Sequence, residues 1–215
     1  MKKVKVLSII AIVLFAMQPL QSQNIEHFYV GMPNVLNPIL TQQQRFELLE
    51  FFKADMGDSI TNRFGTQTRI LALDTLNNHI LTQNTDISTF EMKMIVANAD
   101  TIIGIIRTVC APICQSTIEF YNTRWKKREN IQFTFPEAAE WINAEKLKES
   151  GFNPENVRNA LNTSFISLSF NPETSEIRAT NNSLEFLDER EREKITPLMN
   201  EDAFVYRYER GKWVR

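Results

Sequence analysis

Apolar positions in this chain follow two periods in succession. Thr41 with Gln44 three places on is a capping-box pair, and behind it Phe46, Leu49, Phe52 and Met56 recur at helical spacing, with Leu48 and Phe51 widening the stripe. The spacing predicts a helix that Gly57 stops, with one face that must be covered, and a further turn over residues 58–64. The preceding stretch, residues 24–40, carries Pro33 and Pro38 and is too interrupted for a long helix. From Arg69 the period becomes two. Leu71 and Leu73 alternate with Ala72 and Asp74, Asn77-Asn78 suits a tight turn, and residues 79–83 return as a second strand. In the third, Phe90, Met92, Met94 and Val96 alternate with Thr89, Glu91, Lys93 and Ile95, which predicts one dry face and one largely wet face. Asn98-Ala99-Asp100 turns the chain into residues 101–109, where Ile102, Ile103, Ile105, Ile106 and Val109 mark a central strand covered on both sides. Residues 115–125 follow as a fifth strand, with Ile118 and Phe120 on one side and Glu119 and Tyr121 on the other.

The remainder repeats the theme on a smaller scale. Residues 136–148 read as a helix ending before Gly151, Asn153-Pro154-Glu155 opens a second short helix, and residues 165–170 and 175–180 flank the turn at Asn171-Pro172. Residues 188–194 interleave both charge signs and read as a solvated helix or loop. Residues 203–208 form the last strand, an edge open to another chain, followed by Gly211 and an exposed Trp213. The fold class is α+β: an antiparallel meander of about five strands with a packing N-terminal helix over residues 23–130, then a smaller helix-plus-strand unit over residues 131–215, packed on the first.

Composition narrows the function classes. The 215 residues carry a net charge of -2, 43% apolar residues and six glycines. Neither a Gly-x-Gly-x-x-Gly nor a Gly-x-x-x-x-Gly-Lys-Ser/Thr run is present, so no cofactor held by such a phosphate cradle is expected. Near-neutral charge argues against a nucleic-acid partner. Lys2, Lys3 and Lys5 precede an apolar stretch over residues 6–17, and Leu20-Gln21-Ser22 offers a small residue after Pro19. Residues 1–22 therefore read as a signal peptide cut before Gln23, leaving no membrane span and placing the mature chain in the periplasm or outside the cell.

An exported chain with two cysteines favours a disulfide, and Cys110-Ala-Pro-Ile-Cys114 sets both at the mouth of a tight turn. A redox pair or metal site is the alternative, but Cys-x-x-Cys spacing and further ligands are absent. His27 and His79 are the only imidazoles, and there is no Gly-x-Ser-x-Gly elbow or His-Glu-x-x-His helix, so no catalytic residue is assigned. An envelope hydrolase working through paired carboxylates is the enzymatic alternative, with Glu91 and Glu119 as the pair to test. The basic run Lys126-Lys127-Arg128-Glu129 fits a solvated strand end better than a phosphate or sulfated-sugar site. A non-catalytic module is the favoured reading, with Tyr121, Trp125 and Trp213 as a ligand or partner surface for a protein or glycan of the envelope, and a structural or folding-helper role as the third.

Three blocks carry a resemblance. Phe28-Tyr29-Val30-Gly31-Met32-Pro33, the Thr-Asn-Arg-Phe-Gly run over residues 61–65, and residues 105–125 with their cysteine turn and Phe-Tyr-Asn-Thr-Arg-Trp ending resemble the exported bacterial proteins catalogued as domain of unknown function 3256. The resemblance implies export and architecture and brings no activity, substrate or catalytic residue; it covers residues 24–125 well and the rest loosely. Asp58-Ser59-Ile60, Asp74-Thr75-Leu76 and Asp100-Thr101-Ile102 also resemble the Asp, Ser/Thr, apolar tripeptide of bacterial O-glycosylation, while Asp and Thr are equally at home in turns and strand starts.

Overall fold

A computed structural model describes residues 24–97, 100–200 and 203–215. The signal segment and the Asn98-Ala99 part of the expected turn lie outside the described residues. Helix α1 (Ile25–Gly31) is capped by the Asn24 side chain, and α2 (Gln42–Lys53) has the expected capping box between Thr41 and Gln44. Six strands follow: β1 (Ser59–Thr61), β2 (Gln67–Asp74), β3 (His79–Thr85), β4 (Ser88–Ala97), β5 (Asp100–Cys110) and β6 (Cys114–Asn122). They pair antiparallel in chain order, as a meander requires. Then come α3 (Ala144–Ser150), α4 (Pro154–Ala160), β7 (Ile166–Phe170), β8 (Glu176–Asn181), α5 (Glu189–Ile195), β9 (Ala203–Glu209) and β10 (Lys212–Val214), the strands forming a second antiparallel sheet in the order β10-β9-β8-β7.

Period two divides the first sheet between two cores. Phe90, Met92, Ile103, Ile105 and Tyr121 join Ile25, Phe28, Tyr29, Leu48 and Leu49 beneath the helices. Their sequence neighbours Ile95, Ile102, Ile106 and Phe120 join Ile166, Leu168, Phe170, Ile177 and Tyr206 of the second sheet. The first sheet is thus a middle layer, which corrects the wet face expected for β4: Glu91, Lys93 and Ile95 are 5%, 3% and 1% exposed because the second sheet covers them. Gly104 of β5 permits this close approach, since a Cβ there would stand 2.5 Å from Cζ of Phe170.

Several boundaries differ from the periodic reading. The buried stripe of α2 is Arg45, Leu48 and Leu49, with Phe52 half-buried beside it, while Phe46, Phe51 and Met56 are exposed. Arg45 lies at a buried helical position despite its charge, which the apolar count passed over. The stretch after Gly57 supplies β1, pairing Ser59–Thr61 with residues 67–69, rather than another turn. The expected helix over 136–148 is a 3-10 turn at Ala138–Trp141, a break, and then α3. β9 is not the edge, because the chain folds back after Gly211 and Trp213 pairs with Tyr208 in β10. Cys110 and Cys114 face each other across the β5–β6 hairpin and form a disulfide, their Cα atoms 3.9 Å apart.

Candidate functional site

The meander leaves β6 at one side of the first sheet. Antiparallel pairing with β5 turns the backbone groups of alternate β6 residues outward, and the contacts of Phe120 and Asn122 identify which. Asn122 N–H donates to the Lys126 carbonyl at 3.0 Å and Arg128 N–H donates to the Phe120 carbonyl at 2.8 Å, making one bridge at Tyr121–Lys127. Ile131 N–H then donates to the Arg128 carbonyl at 3.0 Å, and the chain turns away from β6. A groove of about 270 Å³ opens there, lined by Ile118, Glu119, Phe120, Ile131 and Phe133 together with Lys127, Arg128, Glu129 and Gln132; Phe120 and Ile131 are themselves buried, so most of the surface it presents is polar. This mixed lining follows from β6 alternation and from the turn at Arg128.

Glu119 anchors the helix-side rim. Its Oε2 accepts from Arg107 Nη1 at 2.9 Å and from the Tyr121 hydroxyl at 2.9 Å, and its Oε1 accepts from Lys127 Nζ at 2.8 Å. Partial burial works to raise the Glu119 pKa, but hydrogen bonds from Lys127, Tyr121 and Arg107 outweigh it and hold the carboxyl down at about 2. Arg107 also grips the Leu36 carbonyl through Nε and Nη2, tying the groove to the loop above α2. Within the basic run, Lys127 is engaged by Glu119 and Arg128 by Asp100 at 2.5 Å, the arrangement of a braced strand end.

The proposed aromatic surface does not assemble as one face. Tyr121 is 5% exposed and lies with Trp125 in the helix-side core, their ring centroids 6.1 Å apart. Trp213 belongs to the opposite core, stacked on Phe120 at 5.5 Å. Adjacent β6 positions point to opposite sides, so a surface drawn through Tyr121, Trp125 and Trp213 is divided by the sheet itself. The same alternation separates Glu91 from Glu119: Glu91 shares its face with Ile106 and Ile118, whereas Glu119 shares its face with Ile105 and Met92. These two carboxylates do not face one substrate, and the paired-carboxylate expectation is corrected.

Between the sheets lies a polar seam that sequence reading missed. His79 Nε2 is 2.7 Å from Glu91 Oε1, which also accepts the Phe170 backbone N–H at 3.1 Å. Lys93 Nζ donates to the Pro172 carbonyl at 2.7 Å and to the Asn77 carbonyl at 3.0 Å, and burial pushes its pKa down. Ser116 Oγ accepts the Leu168 N–H at 2.9 Å. His79 is 2% exposed and bonded to no serine, threonine or cysteine among the described residues, while His27 is exposed on α1. The contacts of Ser116 and Glu91 seat β7 against the first sheet. Beneath the helices, Arg45 is fully buried and donates to the carbonyls of Val30, Met32 and Leu40 and to Asn34 Oδ1. Asn62, in the family-like run, accepts from Phe64 and Thr66 N–H and donates to Thr68 Oγ1 and the Asn84 carbonyl. Within the first two resembling blocks these contacts hold the backbone in place. Of the three glycosylation-like tripeptides, Thr75 stands exposed at the β2–β3 turn, whereas Ser59 and Thr101 are half-buried in strands. No group of three His, Cys, Asp or Glu residues among the described residues is placed to hold a metal, and no helix among them is long and apolar enough to cross a membrane.

The family model described as "Protein of unknown function (DUF3256)" matches residues 17–213. No curated protein matches the sequence. A solved structure, that of a domain of an uncharacterized protein from Porphyromonas gingivalis W83, aligns at a TM-score of 0.74 and 21% identity, covering 89% of this chain and 98% of that chain. At that identity the likeness shows the fold alone.

Proposed function

The chain belongs to the DUF3256 family of proteins of unknown function, and on that premise we propose that it is a non-catalytic binding or interaction module of the periplasm or cell envelope. The observation that carries this reading is the contrast between Glu119 and the groove beside it. Glu119 has three donors and is held ionised, so it is a poor proton carrier at neutral pH, whereas the groove presents a mainly polar surface, with Ile118 and Phe133 half-buried in it, to an incoming chain. Export rests on the basic and apolar N-terminal segment and fits the Cys110–Cys114 disulfide, a bond that persists in oxidising compartments.

Two measurements test these claims. Protein recovered from cells of the source organism should come from the envelope or medium with Gln23 at its N-terminus; a cytoplasmic product retaining Met1 refutes export. Purified protein applied to arrays of envelope glycans and random peptides should retain a subset uncut, read by mass spectrometry. Turnover of a retained probe would replace the binding reading with the hydrolase.

A further inference from the structure

We propose that the groove beside β6 receives an extended polypeptide segment, which adds to the sheet as a short strand. This deepens the binding reading above and rests on it. The β6 edge is closed at both ends: the Cys114 carbonyl accepts Asn182 Nδ2 at 2.8 Å, and the Phe120 carbonyl and Asn122 N–H are taken by residues 126–128. Between them, Ile118 has the same outward phase as Phe120, and its N–H and C=O meet no backbone partner on that side among the described residues. The Phe120 N–H is likewise without an outward backbone partner among the described residues.

The chain's own segment shows which occupant fits. Lys127 holds the position of a seventh strand for one bridge, and the Arg128–Ile131 turn then carries the chain out of that position. The groove continues the line so left, with β6 on one side and Ile131 to Phe133 on the other. Its volume of about 270 Å³ lies under the range of small-molecule cavities and suits a few residues of extended chain. A guest strand would give its backbone to Ile118, and its side chains would alternate by strand geometry. One set would meet Ile118 and Phe133, the half-buried apolar members of the lining. The other would meet Glu119, Lys127, Arg128 and Glu129, two acids and two bases whose charges cancel, so uncharged polar residues fit best. The partner is therefore an extended peptide of alternating apolar and uncharged polar residues.

The test pans a random dodecapeptide phage library on the intact protein and follows the enriched peptides by amide NMR. Alternating peptides should be enriched, slow the exchange of Ile118 and Phe120 amide protons at least about fivefold, and lose binding at least about tenfold when alternate peptide nitrogens are methylated. Gln132→Trp, an exposed substitution that fills the groove, should weaken binding by a similar factor without altering the melting temperature. Peptides that bind but shift residues away from β6, or tolerate methylation on either set of nitrogens, overturn strand addition and leave a binding module. Failure to enrich any peptide overturns strand addition; retention of glycans on the arrays would then still support the broader reading, and retention of nothing would overturn both.

Discussion

Gly104 and Glu119 show how single positions govern this molecule. Gly104 has an ordinary strand conformation, and what demands glycine is the Phe170 ring pressed against it. Gly104→Ala should destabilise the protein by about 1–3 kcal/mol through overpacking, measured by urea unfolding; an unchanged midpoint would mean that the second sheet is not seated as described. Glu119 makes a pH-dependent contribution. Its folded pKa of about 2 lies below its ordinary value of 4.5, so the stabilisation is fully present above the ordinary value and is lost as pH falls through about 2. Between pH 5 and pH 2 the wild type should lose about 1–2 kcal/mol more than Glu119→Gln, a figure reduced for solvent screening. Parallel stability curves for the two proteins would contradict that assignment.

At the scale of elements, β7 illustrates how an edge strand is protected. Its outward N–H groups at Leu168 and Phe170 are accepted by Ser116 Oγ and Glu91 Oε1, side chains of a different sheet. An exposed edge would invite pairing with another chain, whereas these two groups are sealed between layers. Ser116→Ala should remove the partner of Leu168 and cost about 1–3 kcal/mol, with exchange of the Leu168 amide accelerated more than that of residues in β4. Equal acceleration throughout would indicate global loosening instead. β6 differs in having its middle open, which is why the proposed partner is placed there. The strands themselves were legible from alternation, because β2 to β6 each carry at least part of a period-two pattern. β1 escaped because three residues are too few to display a period, and α1 because Gly31 and Pro33 cut short its apolar face.

For the whole molecule, the first sheet serves two cores. A fragment of residues 23–130 would keep the helix-side core yet expose Ile95, Ile102, Ile106 and Phe120, and would leave the buried Glu91 and Lys93 without Phe170 and Pro172. Such a fragment should bind a hydrophobic dye strongly or self-associate, while the full chain does neither. A monomeric fragment silent to the dye, read by sedimentation and fluorescence, would show instead that the first unit stands alone. The second unit relies on the same shared core, with a further cluster of Ile142, Leu147, Val157, Leu161 and Ile195 beneath its short helices.

Local pattern alone determined the helix with its capping box, the five main strands in meander order, and the facing cysteines, because capping, alternation and tight turns act over a few residues. Tertiary structure decided which faces are wet. Glu91 and Lys93 look like solvent residues beside their neighbours, and only the second sheet, more than seventy positions further on, makes them a seam. It likewise parted Tyr121 from Trp213 and Glu91 from Glu119, and it formed the β6 groove by turning residues 128–131 away from the sheet. The period of a strand says that its two faces differ; what covers each face depends on residues distant in the chain.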